Sequence, residues 1–227
     1  MLMFYRYFLV PIFVFSVVPQ LYAADYNGVI SITKKGKSVK PSEYADAVIY
    51  FVPDQVENTS PLNTETKEMK MEKKTYSPRV LPISVGTEVN FPNFDPILHN
   101  AFSTSTNNNF DLGLYSGGDK GSHKFEKPGL VRVYCNVHHA MVAYILVFDS
   151  PYYTTPSSEG KFTLNDLPEV SGKLFIWHPR AKLIKKKFDF SKAVEQENFN
   201  LELTKRRIPK HSNKAGKSYR KTKKKTY

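Results

Sequence analysis

Leu130-Val131-Arg132-Val133-Tyr134-Cys135-Asn136-Val137-His138-His139-Ala140-Met141-Val142-Ala143-Tyr144-Ile145-Leu146-Val147-Phe148 is the stretch whose reading decides the fold. Residues 130–135 are rich in β-branched and aromatic side chains and read as a strand, and residues 143–148 read as another. The connection between them is therefore tight. It must turn Cys135, His138 and Met141 toward one point. Upstream, Lys127-Pro128-Gly129 is a turn, residues 123–126 a strand and Ser116-Gly117-Gly118 a Gly-rich turn. Residues 110–114 and 98–103 flank a polar loop at 104–109. Residues 79–93 read as two short strands hinged at Val85-Gly86-Thr87, and residues 69–76 as one weakly alternating strand. Further back, residues 29–33 and 47–52 alternate around a turn at Lys34-Lys35-Gly36-Lys37, and 54–68 is an exposed polar loop. Downstream, a Pro- and Thr-rich connector at 149–158 leads to strands at 160–164, 173–178 and 198–203. No segment has a helical period. Short strands punctuated by Gly and Pro predict an all-β chain, an antiparallel sandwich or barrel.

The decisive stretch also carries chemistry. Cys135, His138 and Met141 stand at i, i+3 and i+6, and His99 stands beside a separate strand. Two imidazoles, one thiolate and one thioether make the ligand set of a blue-copper site, a His₂Cys plane with a weak axial Met. Soft sulfur and imidazole together favour copper over hard cations. A constrained loop with one ligand from a rigid strand would let a single ion change between Cu(I) and Cu(II) with little rearrangement. Asn100 follows the upstream histidine and is placed to join the two ligand-bearing segments by a hydrogen bond, orienting the ligands. His139 is an alternative ligand that would compete for the metal. Met69 and Met71 form a Met-x-Met pair, read as packing or exposure rather than as a Cu(I) site. His178 reads as structural and His123 as a surface residue.

Cys135 is the only cysteine. Arg6, an apolar run over 7–18 and Pro19-Gln20-Leu21-Tyr22-Ala23-Ala24 have the layout of a secretory signal peptide, cleaved after Ala23 or Ala24. The expected location is periplasmic or secreted, where cysteines normally pair. A lone one there points to metal binding. The formal charge of +12 is concentrated at one end. Residues 205–227 hold eleven Lys/Arg and no acid; setting these and Arg6 aside leaves the rest neutral. The tail is expected to be disordered and available to an acidic partner or an anionic membrane surface. Nucleic acid is not an expected partner of an exported chain. The expected division is a signal peptide at 1–24, a copper domain at 25–150, a small β module at 151–204 and the basic tail at 205–227. The small module is too short to stand alone unless it borrows strands from 28–52.

The Cys-x-x-His-x-x-Met loop, in its Tyr134-Cys135-Asn136-Val137-His138-His139-Ala140-Met141 setting, resembles that of cupredoxins. It is most similar to the amicyanin type, whose Cys-to-Met loop is the shortest. Residues 85–93, Leu98-His99-Asn100 and Lys127-Pro128-Gly129 share the pattern. Phe110-Asp111-Leu112-Gly113-Leu114-Tyr115, Ala143-Tyr144-Ile145, Asp149-Ser150-Pro151-Tyr152, Asp166-Leu167-Pro168 and Leu174-Phe175-Ile176-Trp177-His178-Pro179 resemble exported bacterial proteins labelled plastocyanin-like or methylamine-utilisation proteins. The C-terminal part of those proteins resembles a carboxypeptidase-regulatory, transthyretin-like β module. The resemblance covers roughly residues 28 to 190. It implies a cupredoxin Greek-key sandwich followed by the small module. His99, Cys135 and His138 would be the equatorial ligands and Met141 the axial one. His139 departs from the pattern, which commonly has Pro or Asp there.

The expected function is an electron carrier between redox proteins, with His138, Ala140, Met141 and Val142 forming an apolar docking face. A copper chaperone or buffer, and a β scaffold with a vestigial site, are the alternatives. An enzyme is not expected: no acid–base pair or activated nucleophile is visible, and four protein ligands leave copper little room for substrate.

Overall fold

A computed structural model of the chain describes residues 24–55 and 62–205, together with Asn213, Lys214 and Lys217. The expected signal peptide, Ala24 apart, lies outside the described residues, as does most of the tail. Among the described residues the regular structure is almost entirely strand. In order it forms β1 (Ala24–Lys34), β2 (Lys37–Ser38), a 3-10 turn (Pro41–Asp46), β3 (Val48–Pro53), β4 (Lys67–Glu68), β5 (Lys70–Glu72) and β6 (Thr75–Ser77). There follow β7 (Val80–Ser84), β8 (Glu88–Pro92), β9 (His99–Ser105), β10 (Asn108–Tyr115), β11 (Lys120–Lys124), β12 (Gly129–Tyr134) and β13 (Val142–Phe148). The last are β14 (Tyr153–Thr154), β15 (Lys161–Leu167), β16 (Ser171–Trp177), β17 (Ile184–Asp189) and β18 (Asn198–Glu202).

Strand pairing sorts these into two bodies. In the central one, a sheet of order β10-β9-β12-β13-β7 covers a sheet of order β11-β8-β4, with the β5–β6 hairpin at the side. In the other, β15-β1-β18 faces β14-β3-β16-β17. Residues 24–53 therefore pair with the C-terminal strands and not with the central ones. Gly28 to Val29 run against Lys161 to Phe162, and Val48 to Pro53 run against Gly172 to Trp177. The first strands of the expected copper domain thus share sheets with the strands of the expected small module. The physical reason is area: the strands after residue 150, β14 to β18, do not fill two packed sheets without lenders.

Each body has its own core. The central core holds Met69, Met71, Val89, Phe91, Phe125, Val131, Val133 and Ile145, with Cys135 and Met141 at one end. The second is aromatic, built on Tyr26, Phe51, Phe162, Phe188 and Phe190 with Ile30, Ile32 and Ile176. β13 belongs to both sides of the junction. Ala143, Ile145 and Val147 face the central core, whereas Val142, Tyr144 and Leu146 pack with Val48, Val80, Tyr50 and Trp177 of a third cluster. A strand covered on both faces must be apolar at every position, which is why 142–147 shows no alternation. Tyr144 meets Trp177 edge-on at 5.4 Å between ring centres.

The structure departs from the sequence reading in three further places. Residues 69–76 form a hairpin and not one strand: Lys73 and Lys74 both take positive φ, 52° and 56°, and turn the chain. The lysine-rich run 184–189 is a strand at a sheet edge, where lysines discourage further pairing. His123 is half-buried and stacks on Phe110 at 4.5 Å.

Candidate metal centre

Antiparallel pairing builds the site. β12 lies beside β9, with Tyr134 opposite Phe102. The residue just past the end of β12, Cys135, is thereby brought beside the first residues of β9, two positions in register from His99. The loop then folds back in two steps: the Met141 N–H donates to the His138 carbonyl at 2.9 Å, and the Cys135 N–H to the Met141 carbonyl at 3.4 Å. These bonds swing His138 over Cys135. Cys135 Sγ lies 3.8 Å from His99 Nδ1 and 3.8 Å from His138 Nδ1, and the two Nδ1 atoms are 3.2 Å apart. His99 and Cys135 are wholly buried, and His138 is half-buried.

These separations fit a metal ion. With metal–nitrogen bonds of about 2.1 Å and a metal–sulfur bond of about 2.3 Å, a trigonal centre needs N···S of about 3.8 Å. The Nδ1···Nδ1 distance of 3.2 Å then corresponds to an N–metal–N angle of roughly 100°, somewhat below the tetrahedral value. The donor set, two imidazoles and a thiolate, is the one copper prefers. Met141 is 1 % exposed and shares the Cys135 core cluster. His139 is not drawn into the converging group, which comprises His99, Cys135 and His138. Burial holds the His138 imidazole below its ordinary pKa, with His99 and Lys74 adding to the effect. The neutral form is the one that coordinates.

Asn100 ties the two segments together. Its Oδ1 accepts the Asn136 N–H at 3.2 Å, and its Nδ2 donates to Asp111 Oδ1 at 2.7 Å and to the Gly113 carbonyl at 2.8 Å. The backbone beside the thiolate is thus pinned to the backbone beside the first imidazole. Asp111 was not singled out by the sequence, and neither were two other supports. Tyr76 donates from its hydroxyl to the Asn100 carbonyl at 2.8 Å, and Asp95 Oδ2 lies 2.7 Å from His99 Nε2. A carboxylate four residues before a histidine, in the Pro-containing turn Asn93-Phe94-Asp95-Pro96, was the available signal for the last.

The expected docking face needs correction. Met141 and Val142 are buried, because one packs under the loop and the other joins the third apolar cluster. The exposed apolar groups next to the ligands are Phe94, Ile97, Leu98 and Val137, with Phe94 60 % exposed. Met69 and Met71 are fully buried core residues. The tail is not wholly free of the body either. Lys214 Nζ pairs with Asp111 Oδ2 at 2.7 Å, and its N–H donates to Asn136 Oδ1 at 3.1 Å.

A second histidine cluster lies at the junction of the two bodies. Glu43, Asp46 and His178 bring donor atoms together, but Arg180 Nη1 contacts both Glu43 carboxylate oxygens, at 2.8 and 2.7 Å, and Arg79 pairs with Asp46. His178 Nδ1 accepts the Arg180 N–H at 3.1 Å. Two guanidiniums already answer the two carboxylates, so this cluster is an ionic joint.

No family model matches the chain, and no curated protein matches it either. Solved structures are similar to part of it. A novel purple cupredoxin from Nitrosopumilus maritimus is 29 % identical over 36 % of this chain and 99 % of its own, with a TM-score of 0.33. A copper-containing nitrite reductase from Thermus scotoductus SA-01 is 23 % identical over 52 % of this chain and 28 % of its own, with a TM-score of 0.35. A Cu(I) amicyanin variant is 15 % identical over 45 % of this chain and 99 % of its own, again at 0.35.

Proposed function

We propose that the chain is an exported, cupredoxin-type copper protein that carries single electrons between redox proteins. The observation that carries this reading is the convergence of His99 Nδ1, His138 Nδ1 and Cys135 Sγ at 3.2–3.8 Å, with His99 and Cys135 buried and His138 half-buried. Those three residues would hold one copper ion, and Met141, from the same buried cluster as Cys135, would offer a thioether as a further donor. The bound ion would supply a one-electron couple.

The chain's own residues supply the rest. Burial of His99 and Cys135 excludes water from the thiolate. The Asn100 bonds to Asn136, Asp111 and Gly113 fix the separation of the two ligand segments, so both oxidation states meet the same frame. His138, the least buried donor, would be the point of electron exit. Phe94, Ile97, Leu98 and Val137 surround the ligand segments with the apolar, exposed rim on which a redox partner would dock. Lys214 and the basic tail would steer an acidic partner, an effect that salt weakens. A delivery role would call for soft donors at the surface, and burial of Met69 and Met71 withholds two.

Copper addition to the purified protein, followed by a visible spectrum, tests the proposal. An intense blue band that Cys135→Ser lacks is expected. Binding only as colourless Cu(I), or no binding, would reject the carrier.

A further inference from the structure

We infer that Asp95, clamped by the turn of the β5–β6 hairpin, is the positioning residue that sets the tautomer of His99 and biases the site toward Cu(II). The inference rests on the copper reading above. A carboxylate can only accept at 2.7 Å from His99 Nε2, so that nitrogen carries the proton. The lone pair is then on Nδ1, which faces Cys135 Sγ and His138 Nδ1. The same bond adds electron density to the ring and places a negative charge behind it. Both effects favour the more highly charged ion.

The rest of the fold is arranged to hold that carboxylate still. Its Oδ1 accepts the Lys73 N–H at 2.7 Å, and its Oδ2 accepts the Lys74 N–H at 2.8 Å. These two residues have the positive φ of the hairpin turn, which aims consecutive amides at one anion. The hairpin is itself fixed to the residue after His99 by the Tyr76 hydroxyl, which donates to the Asn100 carbonyl. The Asp95 loop is shaped from within by buried Asn93. Asn93 Oδ1 accepts the Asp95 N–H at 3.0 Å, and Asn93 Nδ2 donates to the Ile97 and Tyr115 carbonyls at 2.9 and 3.1 Å. Gly117 closes the arrangement: a Cβ there would stand 2.4 Å from the Asp95 carbonyl oxygen, so only glycine lets the two backbones approach. A hairpin with no ligand of its own is in this way connected to the metal through one side chain.

The test compares Cu(II) and Cu(I) affinities, and the reduction potential, of the full chain with those of Asp95→Asn and Asp95→Glu. Asp95→Asn keeps the blue band, loses Cu(II) affinity by about 10- to 100-fold and changes Cu(I) affinity much less. Each tenfold in that ratio raises the potential by about 59 mV. Asp95→Glu, which keeps the charge, lies closer to the parent. A blue Asp95→Asn protein with the parent's affinity ratio would overturn the inference while leaving the copper reading intact. A parent that forms no blue centre would overturn both. If Asp95→Asn does not fold, proton NMR of the Cu(I) parent decides. A slowly exchanging His99 Nε2–H is expected, and a rapidly exchanging one contradicts the inference.

Discussion

Two buried histidines, His99 and His178, sit in clusters of similar reach and have opposite surroundings. On the Nδ1 side of His99 the neighbours within ligand distance are another imidazole and a cysteine sulfur, both electron-pair donors facing one another. Around His178 the neighbours are two carboxylates, each already met by a guanidinium. Donor groups that face each other need a cation; donor groups that face arginines have one. Proximity of three ligand-type residues is therefore a poor guide to a metal site, and the charge already present decides between them.

The contrast is sharpest in the response to losing one residue. Cys135→Ser removes the only soft donor of the first cluster, so the blue band should vanish altogether, whereas His178→Asn should leave it unchanged. Visible spectra of the two copper-loaded variants check this. A band that survives Cys135→Ser would erase the distinction.

Arg180 tests the other side. Its guanidinium is almost fully buried against Glu43, and Arg180→Met would leave that carboxylate only the more distant Arg79, at 4.0 Å. Breaking a buried pair costs about 3–5 kcal/mol, and because Glu43 retains some contact with water the loss should sit near 3. Thermal or urea unfolding measures it, with the copper spectrum retained.

The junction should also register acid. Burial pushes the His178 imidazole down to about 4, against the pull of Glu43. Above the ordinary histidine value the ring is neutral in both states, and stability is at its full level. As the pH falls from about 6.5 toward 4 the unfolded chain takes the proton first, so stability declines by roughly 3 kcal/mol. Asp46 works the other way. Burial raises its carboxyl, against the pull of Arg79, so the folded state gains as the pH falls through that raised value. His178→Asn, which keeps an acceptor for the Arg180 N–H, should flatten the acid limb measured by urea unfolding across that range.

The smallest effect belongs to the tail. Lys214 and Asp111 form an exposed pair, so Lys214→Ala should cost no more than about 0.5 kcal/mol, and less in high salt. A larger loss would make the tail part of the central body.

The same contrast marks what the sequence made legible. The ligand loop could be read because its residues are neighbours in the chain and their chemistry is rare in combination. The all-β class could be read because Gly and Pro punctuate short apolar runs. The ionic joint could not, since Glu43, Asp46, Arg79, His178 and Arg180 come from distant segments, and of the five only His178 read as structural. The hairpin at Lys73–Lys74 was hidden because its turn uses lysines where glycine or asparagine is usual. The strand at 184–189 was hidden because Lys185, Lys186 and Lys187 read as a solvated run. Met141 and Val142 looked available for docking because a loop position says nothing about which side of the loop is covered.

Copper K-edge X-ray absorption of the Cu(II)-loaded full chain tests the central claim most directly. One short sulfur neighbour and two imidazole nitrogens, with the sulfur lost in Cys135→Ser, is the predicted result. A shell of nitrogen and oxygen alone, unchanged by that substitution, would contradict it.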